Sequence, residues 1–176
     1  MPRVHYLAAV EESGVLETLA AFHPHIAGTP PLAIDVEGSD IDVLCDYADA
    51  CAFTRVVVDA YATATAEGFR ISQWRAGTRA IVARFHAAGW PFEIFAQTTP
   101  VQRQTGWRHF LVEKRLLDLG VPELRTAVVA AKRSGRKTEP AFADLLKLDG
   151  NPYEALLALE QLDDNALHAL LRRAGF

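Results

Sequence analysis

The chain of 176 residues contains only two cysteines, Cys45 and Cys51, which are too few for a disulfide framework. No Cys/His set stands at the spacing of a zinc site. No apolar run approaches the roughly 20 residues of a membrane-spanning helix, and the first residues lack the apolar core of a signal peptide. These absences predict a reduced cytoplasmic protein with no membrane partner.

Internal repeats and low-complexity segments are also absent, and half of the residues are apolar. A chain of this length and composition can bury a core, as one domain or as one compact domain with a helical extension. Acidic residues are concentrated in residues 1–60 and basic residues in 101–140. This order is typical of a cleft with carboxylates on one wall and phosphate-binding cations on the other, and equally of a solvated basic helix face.

Two acids in an apolar segment form the most informative local pattern. In a strand, Asp40 and Asp42 would point to one face, whereas Ile41 and Val43 would point to the other. Adjacent carboxylates repel each other and raise one pKa unless a cation neutralises them. Because carboxylates on a rigid element are common magnesium ligands, the pattern predicts a metal site. A surface turn with incidental acids is the alternative interpretation.

A third acid, Glu93, lies within the aromatic and aliphatic segment 90–96. An acid in such a strand is costly unless it is paired or binds a metal ion. If this strand lies beside the strand of Asp40 and Asp42, three acids converge on one face of a sheet. An edge-strand acid that favours solubility is the alternative.

These residues carry a family resemblance. A glycine followed by a small hydroxyl residue, a spaced Asp-x-Asp on a strand and a later lone acid resemble the nucleotidyltransferase superfamily with the polymerase-beta-like palm. Within that superfamily, Ser39-Asp40-Ile41-Asp42-Val43 is similar to the signature of the small bacterial minimal nucleotidyltransferases. The wider segment, residues 14–117, resembles an uncharacterised bacterial nucleotidyltransferase-like family.

The resemblance implies a nucleoside triphosphate as substrate and Mg²⁺ as cofactor, with Mn²⁺ as a substitute. It also implies site residues of two kinds: nucleotide-binding Gly28, Thr29, Gly38 and Ser39, and catalytic, metal-binding Asp40, Asp42 and Glu93. The chain departs from the family pattern in three places. Thr29 replaces the usual serine, Glu93 stands where aspartate is frequent, and Pro30-Pro31 remove two backbone donors that could have bound phosphate.

The resulting hypothesis is magnesium-dependent transfer of a nucleoside monophosphate from the triphosphate to a hydroxyl or similar acceptor. The acceptor is a small molecule, a protein or RNA, and we expect it between the palm and the helices after residue 100. There, Arg108, His109 and Glu113 are candidates for contacts with the acceptor or with phosphate; a helix-surface pair is the alternative for His109 and Glu113.

Two other functions stay open. One is a non-catalytic nucleotidyltransferase-like module that binds a nucleotide or a protein, of a regulatory or toxin-antitoxin type, which Pro30-Pro31 favour. The other is a two-metal phosphodiesterase in which the same acids activate water.

The expected fold is α+β, with a mixed nucleotidyltransferase-like sheet flanked by helices in residues 1–100 and an all-helical C-terminal region in 101–176. The predicted extended segments are 25–27, 30–36, 40–47, 69–74, 79–86 and 91–97, with a turn at 76–78. The predicted helices are 13–22, 50–67, 101–119, 122–134, 140–148, 152–162 and 165–173. Apolar positions on the C-terminal helices leave a homodimer open.

Overall fold

A computed structural model of the chain describes residues 3–62, 67–74 and 79–176. The chain divides into two compact units. The sheet unit comprises Met1–Pro31 and Gly38–Gln104, and the helical unit comprises Leu32–Glu37 and Thr105–Phe176.

The sheet unit contains one five-stranded sheet with the order β1-β2-β5-β4-β3. Its strands are β1 (His25–Ala27), β2 (Ile41–Asp46), β3 (Glu67–Trp74), β4 (Ala80–Ala87) and β5 (Trp90–Gln97). β2 and β5 are parallel, whereas the other neighbours are antiparallel, so the sheet is mixed. A parallel pair requires a long crossover, and the chain from α3 (Ala50–Tyr61) through β4 supplies it.

One face of the sheet forms the core of this unit. Together with α3, the helices α1 (Tyr6–Ser13) and α2 (Val15–Thr18) pack on that face. Every second residue of the two central strands is fully buried there: Ile41, Val43, Cys45, Phe92, Ile94 and Ala96. Because side chains alternate along a strand, the acids of β2 and β5 lie on the opposite face.

The helices of the sheet unit differ from the sequence prediction. The helix predicted over 13–22 is divided: α2 covers Val15–Thr18, and a 3-10 turn covers Ala20–Phe22. A separate helix, α1, precedes it. It begins at Tyr6, where His5 Nδ1 accepts a hydrogen bond from the Leu7 backbone N–H, and ends at Ser13 with Gly14 as its cap. The helix predicted over 50–67 ends at Tyr61. Residues 63–66, and the turn predicted at 76–78, lie outside the described residues.

Five of the six predicted extended segments correspond to strands, but the segment 30–36 does not. Pro30–Leu32 form a 3-10 turn, and the chain then enters the helical unit, where Ile34 is fully buried. The prediction of an extended segment was wrong because an irregular segment can also bury every second residue when it packs against helices.

The helical unit consists of α4 (Thr105–Leu119), α5 (Pro122–Arg133), α6 (Thr138–Leu146), α7 (Pro152–Ala158) and α8 (Asp164–Ala174). Its large, fully buried side chains include Ile34, Leu116, Leu124, Phe142, Leu156 and Leu167. Proline occupies the first position of α5 and α7, as the punctuation of the sequence predicts. Among the described residues, no helix combines the length and apolar character required to cross a membrane.

Candidate functional site

β2 and β5 bring two of the predicted site acids side by side. Asp42 pairs in register with Glu93, and the next pair, Val43 with Ile94, points into the core. The two carboxylates therefore occupy one face of the sheet, on strands about 4.8 Å apart. Both side chains are partly buried. The two strands are thus neighbours, as the three-acid hypothesis requires.

Gly28, at the end of β1, lies directly against the Asp42 carboxylate. Its φ of 75° is in the left-handed region that favours glycine. A Cβ at this position would overlap Asp42 Oδ2 and lie 3.0 Å from Asp42 Cγ. The turn after β1 can therefore approach Asp42 this closely only with glycine, which explains why the two motifs occur together in the sequence.

Ser39 joins the two motifs. Thr29 Oγ1 donates a hydrogen bond of 3.3 Å to Ser39 Oγ, and Arg3 Nη2 donates one of 2.5 Å to the Ser39 carbonyl. The Arg3 guanidinium also lies 3.8 Å from the centre of the Trp90 ring. Asp40 directly follows Ser39 and is partly buried. Arg3 thus fixes the segment that leads into the acids, a role that no motif in the sequence indicates.

Arg84 of β4 supplies a positive charge at the site. It pairs in register with Glu93, and its Nη2 lies 2.5 Å from Glu93 Oε2. The Glu93 side chain is 23% exposed and the Arg84 side chain 57%. Within residues 3–62, 67–74 and 79–176, no three His, Cys, Asp or Glu residues are grouped so that they could hold a metal ion. The positive charge beside Glu93 in this structure is the Arg84 guanidinium.

The chemistry of the donor set fits magnesium, because Asp40 and Asp42 offer carboxylate oxygens and Thr29 and Ser39 offer hydroxyls. Cys45 adds no thiolate to this donor set, because the pKa of its thiol is raised to about 12. Burial is the main cause, and the negative charge of Asp46 is the second. Of the two Glu93 carboxylate oxygens, Oε2 is engaged by Arg84.

The structure places the other three candidates within the helical unit. Arg108 Nε and Nη2 donate to Glu160 Oε2 at 3.0 and 2.5 Å, which raises the pKa of Arg108 and lowers that of Glu160. His109 is buried, with Nε2 2.9 Å from the Tyr153 carbonyl oxygen, and Glu113 is also buried. These contacts stabilise helix packing, so their role in binding an acceptor or phosphate stays a prediction.

The strand order, the mixed sheet and the helical C-terminal part define a nucleotidyltransferase-like fold. A solved GLD-2/RNP-8 complex matches with a TM-score of 0.57 and 11% identity, over 94% of this chain and 72% of that one. A Cid1 poly(U) polymerase structure matches with a TM-score of 0.54 and 14% identity, over 82% of this chain and 47% of that one. A Cid1 structure described as MgGTP-bound matches with a TM-score of 0.52 and 13% identity, over 86% of this chain and 47% of that one.

The chain belongs to the family DUF4269, described as a domain of unknown function, whose model matches residues 8–159. No curated protein matches the sequence significantly. At 11–14% identity, the solved structures share the fold with this protein, and the chain spans less than half of the Cid1 chains.

Proposed function

We propose that this protein is a magnesium-dependent nucleotidyltransferase that moves a nucleoside monophosphate from a nucleoside triphosphate to a hydroxyl or similar acceptor. The observation that carries the proposal is the position of Asp42, in register with Glu93 and against the Cα of Gly28. The motif likeness to the small bacterial minimal nucleotidyltransferases supports it. So does the fold, which is shared with a Cid1 polymerase described with MgGTP bound.

In this proposal, Asp40 and Asp42 supply the oxygens that hold Mg²⁺. The backbone of Gly28 and Gly38 and the hydroxyls of Thr29 and Ser39 orient the triphosphate beside them. The ion, when bound, would neutralise charge on the phosphates and on the departing pyrophosphate. Pro30 and Pro31 lack N–H groups, so the donors of this turn end at Thr29 and the phosphates depend more strongly on the metal.

Glu93 is assigned to the acceptor. Its carboxylate lies on the same face as Asp42 and, once Arg84 releases Oε2, can accept the proton of the attacking hydroxyl. While the ion pair is closed, that oxygen is shielded by the guanidinium. Opening of this pair would make Oε2 available to accept that proton.

Calorimetry with Mg²⁺ and a non-hydrolysable nucleoside triphosphate tests the binding part of the proposal. We expect magnesium-dependent binding that the double substitution Asp40→Asn with Asp42→Asn abolishes while the circular dichroism spectrum is retained. Asp59→Asn is the matched control, because Asp59 is exposed on α3, which packs on the other face of the sheet. Unchanged binding by the double variant would contradict the site assignment.

The second candidate is a nucleotide- or protein-binding module without turnover. Two observations favour it: the Arg84–Glu93 ion pair occupies the carboxylate needed for the acceptor, and two prolines follow Thr29. A pyrophosphate-release assay over a panel of small-molecule, protein and RNA acceptors distinguishes the two. Magnesium-dependent nucleotide binding without pyrophosphate release would support the binding module, whereas release that Glu93→Gln suppresses would support transfer.

A further inference from the structure

The row of in-register residues that begins with Asp42 and Glu93 continues across the sheet. Glu93 pairs with Arg84 on β4, and Arg84 pairs with Arg70 on β3. Paired residues on neighbouring strands share a face, so the four charged side chains form one line in the order acid, acid, arginine, arginine. With strands about 4.8 Å apart, the line spans about 14 Å.

Within the described residues, the arginine end of this row carries positive charge that is only partly compensated. Like charges directly opposite each other on antiparallel strands are destabilising, and Arg84 and Arg70 are such a pair. Arg84 is neutralised by Glu93 at 2.5 Å. Arg70 is exposed and forms no ion pair with any residue in the described part of the chain. An anion bound between the two guanidiniums would remove this repulsion.

The strand order places these arginines on the opposite side of Asp42 from the Gly28-Thr29 turn. β1, which leads into the Gly28-Thr29 turn, is one edge of the sheet, and β3, which carries Arg70, is the other. In the proposed function, the nucleotide phosphates lie on the β1 side of Asp42. The acceptor then approaches Glu93 from the side of β3 and β4, where it meets Arg70 first and Arg84 next.

We infer that Arg84 and Arg70 bind a phosphate group of the acceptor, so that the acceptor is a phosphorylated molecule. The naming of this ligand as acceptor depends on the proposed function, whereas anion binding by the two arginines does not. The guanidinium group binds phosphate oxygens through two parallel hydrogen bonds, and two adjacent groups can hold one phosphate from both sides. A cationic acceptor would be repelled from this end of the row.

The same arrangement couples acceptor binding to the release of Glu93. A phosphate between Arg84 and Arg70 competes with Glu93 for the Arg84 guanidinium. The ion pair therefore opens when the acceptor is present, and Glu93 Oε2 becomes able to accept a proton. Without a phosphorylated acceptor, Arg84 engages Glu93 Oε2 for a larger fraction of the time.

Two phosphate sources share this chemistry, a nucleoside 5′-monophosphate and the end of a nucleic acid, and the experiment separates them. Binding of AMP is measured by calorimetry, and binding of a short fluorescent single-stranded RNA by anisotropy, without triphosphate. We expect Arg70→Ala to weaken binding of at least one probe about tenfold, which corresponds to about 1.4 kcal/mol. For the RNA, the slope of log K against log salt should fall by about one.

Arg55→Ala is the matched control, because Arg55 is exposed on α3, on the core side of the sheet. Binding that depends on Arg70 for AMP alone identifies a small phosphorylated acceptor, and the same dependence for RNA identifies a nucleic-acid end. The inference is overturned when the wild-type protein binds neither probe, or when Arg70→Ala and Arg55→Ala bind equally well. Failure of the proposed function gives a different result. The variant Asp40→Asn with Asp42→Asn would then retain magnesium-dependent triphosphate binding, independently of how Arg70→Ala changes the binding of AMP or RNA.

Discussion

Arg84 Nη2 lies 2.5 Å from Glu93 Oε2, so a guanidinium neutralises the acid that neighbours Asp42. Ion pairs with one well-exposed partner contribute about 0–1 kcal/mol, and this one is therefore easily opened. Its importance comes from its position, since the same carboxylate is the candidate proton acceptor and a candidate metal ligand. The pair and a bound cation are alternative ways to neutralise two adjacent acids.

This competition predicts the response of Arg84→Ala to magnesium. Without the guanidinium, Asp42 and Glu93 repel each other, so we expect a lower melting temperature than that of the wild type in the presence of a chelator. Added Mg²⁺ should raise the melting temperature of Arg84→Ala more than that of the wild type. Arg55→Ala, measured by the same thermal unfolding assay, should respond as the wild type does. An equal magnesium response in all three proteins would contradict competition at Glu93.

Gly28→Ala is predicted to be more damaging than Gly38→Ala. Both glycines have positive φ, 75° and 86°, so each alanine carries a left-handed backbone cost of about 1–2 kcal/mol. At Gly38 a Cβ meets no atom within 4 Å, whereas at Gly28 it overlaps the Asp42 carboxylate. Urea unfolding should therefore show a larger loss in the free energy of unfolding for Gly28→Ala than for Gly38→Ala. Calorimetry should show that Gly28→Ala also loses nucleotide binding. Equal losses would mean that Asp42 moves aside without cost.

The two cysteines are predicted to differ in reactivity. Cys51 is exposed on α3, whereas Cys45 is buried and its thiol has a pKa raised to about 12, chiefly by burial. Because only the thiolate reacts, a maleimide should label one thiol in the native protein and two in urea, and native labelling at Cys45 should stay absent at pH 9. Mass spectrometry of the native Cys51→Ser variant checks this: labelling of that variant would show that the core opens around Cys45.

The start of α7 is predicted to depend on one side chain. Asn151 Oδ1 accepts hydrogen bonds from the backbone N–H groups of Tyr153 and Glu154, at 3.0 and 3.5 Å. Asn151→Ala should lower the free energy of unfolding by about 1 kcal/mol, the usual cost of losing a helix cap. Asn165→Ala is the control, since Asn165 is exposed within the first turn of α8, where alanine favours the helix. If chemical unfolding gives the same change in the free energy of unfolding for both variants, Asn151 does not act as a helix cap.

The sequence predicted the strands and most helix ends because both depend on local rules. Alternation between acidic and apolar residues identified β2, and proline and glycine marked the limits of the C-terminal helices. The segment after Pro31 was misjudged, since its alternate apolar residues are buried in the helical unit rather than in the sheet. The local pattern of apolar residues predicts that a side chain is buried, but it does not predict which part of the protein packs against that side chain.

The candidate acids were identifiable for the same reason, while their electrostatic partner was not. Arg84 is one basic residue in an alternating strand and belongs to no motif. Only the pairing of β4 with β5 places it opposite Glu93, and only the pairing of β3 with β4 adds Arg70. The register of β2 with β5, which makes Asp42 the neighbour of Glu93, depends on residues distant in the chain, and a single sequence does not display it.

The sequence by itself determined which side chains of this protein share a face, because strand alternation is a property of the backbone. The tertiary structure alone decided which faces meet and in what register. It thereby decided that Asp42 and Glu93 are neighbours and that Arg84 holds Glu93, because charges interact strongly only after the sheet has brought them within a few ångströms.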